Sequence, residues 1–319
     1  MKYYKNKKII FRFDIGGLDG FGHYKRSIPL INFFIKNGFL IVICTNFQSK
    51  KFLNIYLKNR VFLKKEYESE ESYLRKINKK YEGFIIIIDK LYNYKKKSIV
   101  QLKNKNEVVF IQNYSNGAKI ANKLIFPDDH NLSFKKNKKI YTGSKYLVLR
   151  DEINKIKNIK RKKYLGITFG GSDPYNLTIK VLNILKKIKW KNKTIFFYGD
   201  GYKKKNILIK KVKKISNFKA SKFNFKKLIS SKLIISSFGV TSYEVAHFKI
   251  FNLVILLNKK IDISKIDFLS STIKLDYYKD LNLYKIKDCL YKYWHLNKKK
   301  NKFKIKNNAK IKILKIIKN

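Results

Sequence analysis

The chain has 319 residues, of which 45% are apolar and 30% charged, and its formal net charge is +54 at pH 7. That length fits about two domains, and no run of about 18 uncharged apolar residues is present to cross a membrane as a helix. Only six of the 75 basic residues are arginine, and the lysines run along the whole chain; this argues against a nucleic-acid reader, because phosphate and base recognition favours the bidentate guanidinium.

Apolar residues run from Ile9 to Phe13, as in a buried strand. The turn Gly16-Gly17-Leu18-Asp19-Gly20-Phe21-Gly22-His23 follows. Ile28, Leu30, Ile31, Phe34 and Ile35 then recur at helical spacing, and Gly38 marks the stop. Strand, tight turn and helix place His23 at or near a helix N-terminus. Unpaired N–H groups welcome anions there, and a neutral imidazole can serve as general base. A histidine in such a turn is also often only structural. The spacing Gly17-x-x-Gly20-x-Gly22 is not the dinucleotide fingerprint, and no Walker loop is present.

Phe39 to Thr45 is a continuous apolar run, typical of a parallel strand. Residues 50–60 are expected as a short helix, and 66–80 as a charged helix with Ser69 or Ser72 as cap. Phe84 to Ile88 is the clearest buried strand. It ends in Asp89, at the edge of the sheet where ligands bind in open α/β folds. Val108 to Ile111 is a strand, and Ile120 to Phe126 is a short element before Pro127. Asp128-Asp129-His130 has no second ligand set at metal spacing and reads as a polar loop, so no metal is expected. His247 reads as a helix-face residue and His295 as a surface one.

Asp151 to Lys163 is lysine-rich with little apolar content, the best linker candidate. The predicted layout is a first domain over 1–152, a linker over 153–163 and a second domain over 164–319 ending in lysine-rich helices. The second half repeats the grammar of the first. Tyr164 to Phe169 is a strand, Gly170-Gly171-Ser172-Asp173-Pro174 its turn, and Leu177, Val181, Leu182 and Leu185 mark a helix. Thr194 to Tyr198 is a strand. Leu233 to Ser236 is another, its turn is Ser237-Phe238-Gly239-Val240-Thr241, and a helix begins near Ser242. Phe251 to Leu257 is the next strand. The expected fold is α/β, two facing Rossmann-like domains with mostly parallel sheets and a ligand cleft between them.

Two motifs in the second half suit a diphosphate. Gly170 and Gly171 let the backbone approach a ligand, and Ser172 caps a helix or donates to a phosphate. Ser237, Gly239, Thr241 and Ser242 surround a second helix start. Glu244, one turn further on, is placed to accept from ribose hydroxyls. A plain capped turn and a first-turn acid favoured by the helix dipole are the competing readings.

Taken together, Gly20-Phe21-Gly22-His23-x-x-Arg26, Phe169-Gly170-Gly171-Ser172-Asp173-Pro174-x-Asn176-x-Thr178 and Ser236-Ser237-x-Gly239-x-Thr241-x-Tyr243-Glu244 resemble the UDP-sugar hydrolase of pseudaminic acid biosynthesis. That family is similar to the peptidoglycan UDP-N-acetylglucosamine transferase and shares its glycosyltransferase B fold. The resemblance covers nearly the whole chain, including Tyr146-x-x-Leu149-Arg150 before the linker. It implies hydrolysis of UDP-2,4-diacetamido-2,4,6-trideoxy-β-L-altropyranose at the anomeric carbon, with inversion and without a cofactor. It implies His23 as base, with Gly20, Gly22, Arg26, Tyr92 and Asn258 around the substrate; Asp14, at the end of the first strand, is expected to orient that histidine or to bind sugar hydroxyls. Gly170, Gly171, Ser172, Asp173, Ser237, Gly239, Thr241, Ser242 and Glu244 complete the implied UDP-sugar site. Three stretches depart from the family pattern: Asp89-Lys90-Leu91-Tyr92, where the tyrosine is shifted by one, Gln112-Asn113 in place of an acidic pair, and Lys259 after Asn258.

A glycosyltransferase of the same fold is the alternative, and a non-catalytic, lysine-rich nucleic-acid binder the weaker one. Isoleucine, asparagine and lysine are abundant and alanine and proline scarce, as an A+T-rich coding sequence gives. The lysine surface is therefore read as solvated. A weak attraction to anionic membrane is expected from it, and no nucleic-acid partner. Arg12 and Asp14 break the apolar run a signal peptide needs, and Cys44 and Cys289 are expected as free thiols, so a cytoplasmic protein is expected.

Overall fold

The computed structural model describes residues 7–16, 21–53, 55–58, 60–127, 139–257, 271–296 and 308–318. The chain divides into two units. One comprises Met1–Asp19, His23–Arg150 and Lys306–Asn319, the other Gly20–Gly22 and Asp151–Ile305.

The first unit holds a seven-stranded sheet of β1 (Lys8–Arg12), β2 (Leu40–Asn46), β3 (Val61–Lys64), β4 (Ile85–Ile88), β5 (Glu107–Ile111), β6 (Lys123–Phe126) and β7 (Ile140–Thr142). The order is β3-β2-β1-β4-β5-β6-β7 and every pairing is parallel. Helices lie between the strands, so the inner strands are covered on both faces and read as unbroken apolar runs. All four isoleucines of β4 are buried, and each contributes about 1.5–3 kcal/mol by leaving water. The core on one face joins Ile86, Ile88, Val108 and Phe110 to Leu74, Ile77 and Leu102 from the helices Glu70–Lys80 and Lys96–Lys103. Ser69 caps the first of these, accepting from the Ser72 N–H at 3.1 Å.

The second unit holds six parallel strands, β8 (Lys162–Thr168), β9 (Thr194–Tyr198), β10 (Phe218–Lys222), β11 (Ser231–Ser237), β12 (Phe251–Leu256) and β13 (Thr272–Tyr277). Their order is β10-β9-β8-β11-β12-β13. Each sheet reverses its direction of growth once, between β1 and β4 in the first unit and between β8 and β11 in the second. In open α/β sheets a ligand crevice opens outside the carboxyl ends of the strands at that switch point.

Two expectations are corrected. Residues 50–60 do not form one helix: a 3-10 turn covers Phe47–Phe52 and a short helix Ile55–Lys58. The chain end does not stay with the second half. The helix Ala309–Lys318 groups with the first unit, burying Ala309, Ile313, Leu314, Ile316 and Ile317. Ile313, Ile316 and Ile317 fall on one side of a helix, an apolar stripe that needs cover whatever its lysines do.

Candidate functional site

In the first unit the polar residues gather where the parallel strands end. Phe13 and Asp14 follow β1, Asp89 and Lys90 follow β4, and Gln112 follows β5. His23 is the second residue of the helix Gly22–Lys36. Its Nδ1 lies 2.6 Å from Asp89 Oδ1. Asp89 is fully buried. Burial alone opposes its charge, but Arg26 and the His23 imidazole outweigh that and hold the carboxyl well below its usual range. An ionised carboxylate only accepts. Nδ1 of His23 is therefore the donor, which leaves Nε2 as the ring nitrogen able to accept a proton.

Arg26 lies one turn along the same helix and is buried. Its Nε donates to Asp89 Oδ2 at 2.8 Å, its Nη2 to Asp89 Oδ1, and its Nη1 to Gln112 Oε1 at 2.5 Å. Gln112 presents that oxygen from a left-handed backbone conformation, φ 53°.

Asp14 does not orient His23, which corrects the expectation; Asp89 does. Asp14 accepts from Arg12 Nη1 at 2.5 Å and Nη2 at 2.8 Å, from Lys90 Nζ at 2.5 Å and from the Asn46 N–H at 2.8 Å. Burial opposes its ionisation, yet Arg12 and Lys90 hold it well below the usual carboxylate range. Arg12, fully buried on β1, reaches across to Glu70 at the start of the helix Glu70–Lys80, at 2.8 and 2.5 Å. The Tyr94 hydroxyl donates to Glu70 at 3.0 Å. Tyr92 is also engaged within the fold, donating to Glu71 at 2.7 Å.

Lys90, Gln112 and Asn113 each have a partner within the first unit. Lys90 pairs with Asp14 and Gln112 with Arg26. Asn113 Nδ2 donates to the carbonyls of Lys90 and Tyr92 at 2.8 and 3.0 Å, tying the segment after β4 to the one after β5.

In the second unit both predicted turns lie at the switch point, after β8 and β11. Gly170 is left-handed, φ 81°. Gly171 and Gly199 meet backbone to backbone: a Cβ on Gly199 would stand 2.5 Å from the Gly171 carbonyl oxygen, and the Gly201 N–H donates to that same oxygen at 3.0 Å. Asp173 is not presented to a ligand, contrary to expectation. It is buried, and its two carboxylate oxygens accept from the Leu177 and Thr178 N–H groups at 2.8 Å each, closing the start of the helix Leu177–Lys187 to other anions. Burial outweighs these bonds and raises its pKa from the ordinary value.

The second helix start is different. The helix Val240–His247 has no side-chain cap at Gly239, and a Cβ there would meet nothing within 4 Å. Ser237, Gly239 and Thr241 are half-buried, while Ser242 donates to the Ser237 carbonyl at 3.3 Å. Glu244 is fully buried on the same helix. Ser172 is half-buried and Gly22 exposed. Gly20, Asp128-Asp129-His130, Asn258 and Lys259 lie outside the described residues. Among the described residues no group of three or more metal-ligating side chains occurs, and no helix is long and apolar enough to cross a membrane. Asp89, which engages both His23 and Arg26, is not among the site residues expected from the sequence. Its signal was present, a carboxylate ending the most apolar strand, but its partner lies 66 positions away.

No protein-family profile matches the chain. An uncharacterised protein of Methanocaldococcus jannaschii is 40% identical over 77 residues, 22% of this chain and 14% of that protein, so this relative is matched over about a seventh of its length. Solved structures match over nearly full length. A Staphylococcus aureus MnaA structure with UDP has a TM-score of 0.65 at 11% identity, covering 98% of this chain and 96% of that one. The UDP-GlcNAc 2-epimerase of Methanocaldococcus jannaschii, in complex with UDP-GlcNAc and UDP, gives 0.63 at 14%, covering 98% and 99%. MurG of Acinetobacter baumannii gives 0.57 at 12%, covering 98% and 99%. The chain therefore has the fold of these proteins, two parallel α/β units of the glycosyltransferase B type.

Proposed function

We propose that the chain is a UDP-sugar hydrolase acting on a diacetamido-trideoxyhexose, as in pseudaminic acid biosynthesis. The observation that carries the reading is the pairing of His23 Nδ1 with buried, ionised Asp89 at 2.6 Å. It fixes the tautomer a general base needs, with Nε2 able to accept a proton. Solved structures of this fold that hold UDP or UDP-GlcNAc support the choice of ligand class.

In this reading the uncapped helix start at Gly239–Thr241, with Ser237 and the Gly170–Ser172 turn, holds the diphosphate through backbone N–H groups. Water attacks the anomeric carbon and gives its proton to Nε2 of His23. The bond from that carbon to the β-phosphate oxygen breaks, and its electron pair leaves with UDP. UDP is a good leaving group, so no second carboxylate is required as acid, unlike in glycosidases. Charge growing on the β-phosphate is met by fixed dipoles that need no reorganisation.

The test incubates the chain with UDP-linked amino sugars, without acceptor, and follows both UDP release and sugar configuration by NMR. UDP release with inverted free sugar supports the reading. An epimerised UDP-sugar, or release only when an acceptor is added, overturns it. His23→Ala should keep UDP affinity and lower turnover by on the order of a hundredfold or more; equal turnover removes His23 from the mechanism.

A further inference from the structure

Asp89 serves two partners. Its Oδ1 accepts from His23 Nδ1 at 2.6 Å, and the Arg26 guanidinium engages both of its oxygens. A carboxylate that faced the imidazole alone would stabilise the ring as it gains a proton. Here a full positive charge already balances that carboxylate. Nη2 of Arg26 stands 3.3 Å from Nδ1 of His23. Both atoms carry hydrogens aimed at one oxygen, so this is a contact between two donors and not a bond.

The other groups around the pair leave that balance intact. Ser27 Oγ donates to Asp89 Oδ2 at 3.2 Å from the same helix. Gln112, after β5, takes Nη1 of Arg26. At the neighbouring strand ends Asp14 is matched by Arg12 and Lys90, and Glu70 by Arg12. Arg26 is 4% exposed and its three nitrogens all have acceptors or contacts inside the first unit, so substrate binding is not what holds it there.

We propose that Arg26 is a positioning residue that sets the proton affinity of His23, by engaging Asp89 with its own charge and offsetting the pull of that carboxylate on the protonated imidazole. The inference deepens the hydrolase reading, in which His23 is the base, and assigns Arg26 a role other than the substrate contact first expected of it.

The test is an NMR titration of the His23 Cε1 proton in the full chain. With four histidines present, the resonance is assigned by its loss in His23→Ala. Removing a like charge within about 4–6 Å moves a titration by roughly 1–3 units, so Arg26→Met and Arg26→Gln should raise the midpoint by about one unit or more, a tenfold gain in proton affinity. Arg26→Lys, which keeps the charge, should leave it within about 0.3 units of the parent. Circular dichroism selects the folded variants, and the glutamine variant, which keeps a donor for Asp89, decides where the methionine variant does not fold. A midpoint unmoved or lowered in either uncharged variant overturns the inference. So does a lysine variant that moves as far as the uncharged ones, because the effect would then belong to shape and not charge. The titration reads no turnover: a chain that releases no UDP can still show the shift, and an active hydrolase with an unmoved midpoint loses this inference alone.

Discussion

Replacing Glu70 by leucine separates a structural role for the buried ions from a catalytic one. Glu70 accepts two bonds from Arg12, at 2.8 and 2.5 Å, and one from Tyr94 at 3.0 Å, with all three residues buried. Glu70→Leu leaves Arg12 and Lys90 facing the single carboxylate of Asp14. Removing one partner of a buried pair costs about 3–5 kcal/mol, because the other charge stays buried and unmatched. The Tyr94 hydroxyl adds about 1 kcal/mol as a buried donor without its acceptor. The expected loss, about 4–6 kcal/mol, approaches the whole stability of an ordinary domain. The double variant Arg12→Leu/Glu70→Leu removes one charge of each sign and leaves Asp14 with Lys90 at 2.5 Å. It should lose at least about 2 kcal/mol less than the sum of the two single changes. Urea unfolding followed by far-ultraviolet circular dichroism measures this. Trp190 and Trp294 both lie in the second unit, so their fluorescence reports separately on the half that was not altered. A single variant that loses under about 1 kcal/mol, or a double variant that is simply additive, refutes the argument.

Asp173→Ala removes the acceptor of two helix-start N–H groups and should destabilise the second unit by about 1–2 kcal/mol, read from tryptophan fluorescence in urea. Gly199→Ala drives a methyl into the Gly171 backbone and should cost that unit about 1–3 kcal/mol or more, since backbone cannot rotate away; a neutral result would mean that the two turns separate easily. Asp14 and Asp89 have folded pKa values below their unfolded ones. Their contribution is therefore complete above the unfolded value of about 3.9 and is lost as the pH falls from there toward the folded values. Acid titration of the first unit should show stability from these groups held between about pH 5 and 7 and falling below about pH 4, and a loss already under way at about pH 6 would contradict the assignment.

What was legible in the sequence follows from burial. The inner strands β1, β2, β4, β5, β8, β9, β11 and β12 are continuous apolar runs, and β6 appears as the end of a short element. The strands the pattern did not reveal are β3, β7, β10 and β13, the outer strand on each side of each sheet. Each is less buried than the inner strands, lysine dilutes the apolar pattern of β3, β10 and β13, and β7 is only three residues long: every residue of β3 and β7 is half-buried, and β10 buries Phe218 alone. An outer strand needs less apolar content than an inner one, and the lysines of β3, β10 and β13 discourage further pairing. The site divides in the same way. Its turns were legible because glycine, serine and histidine after an apolar run are local signals. Its pairings were not, because Arg12 meets Glu70 across 58 positions and Arg26 meets Asp89 across 63. Asp14 is expected beside His23 because it follows β1, a criterion that Asp89, following β4, meets equally well.

The charge of +54 and the chemistry of the site obey different constraints. On the surface, hydration decides, and one cation serves nearly as well as another, so lysine accumulates there without consequence for the fold. In the interior, geometry decides. Of six arginines only Arg12 and Arg26 are buried, and each grips a carboxylate through two nitrogens, which an ammonium cannot do. Lys90 is the one buried lysine among the described residues, and it makes the single-point contact that suits its head group. Arg12, Arg26 and Lys90 face Asp14, Glu70 and Asp89, three cations against three anions. Lysine saturates the surface but not this layer, because an unmatched charge costs little in water and several kcal/mol at the end of a buried sheet.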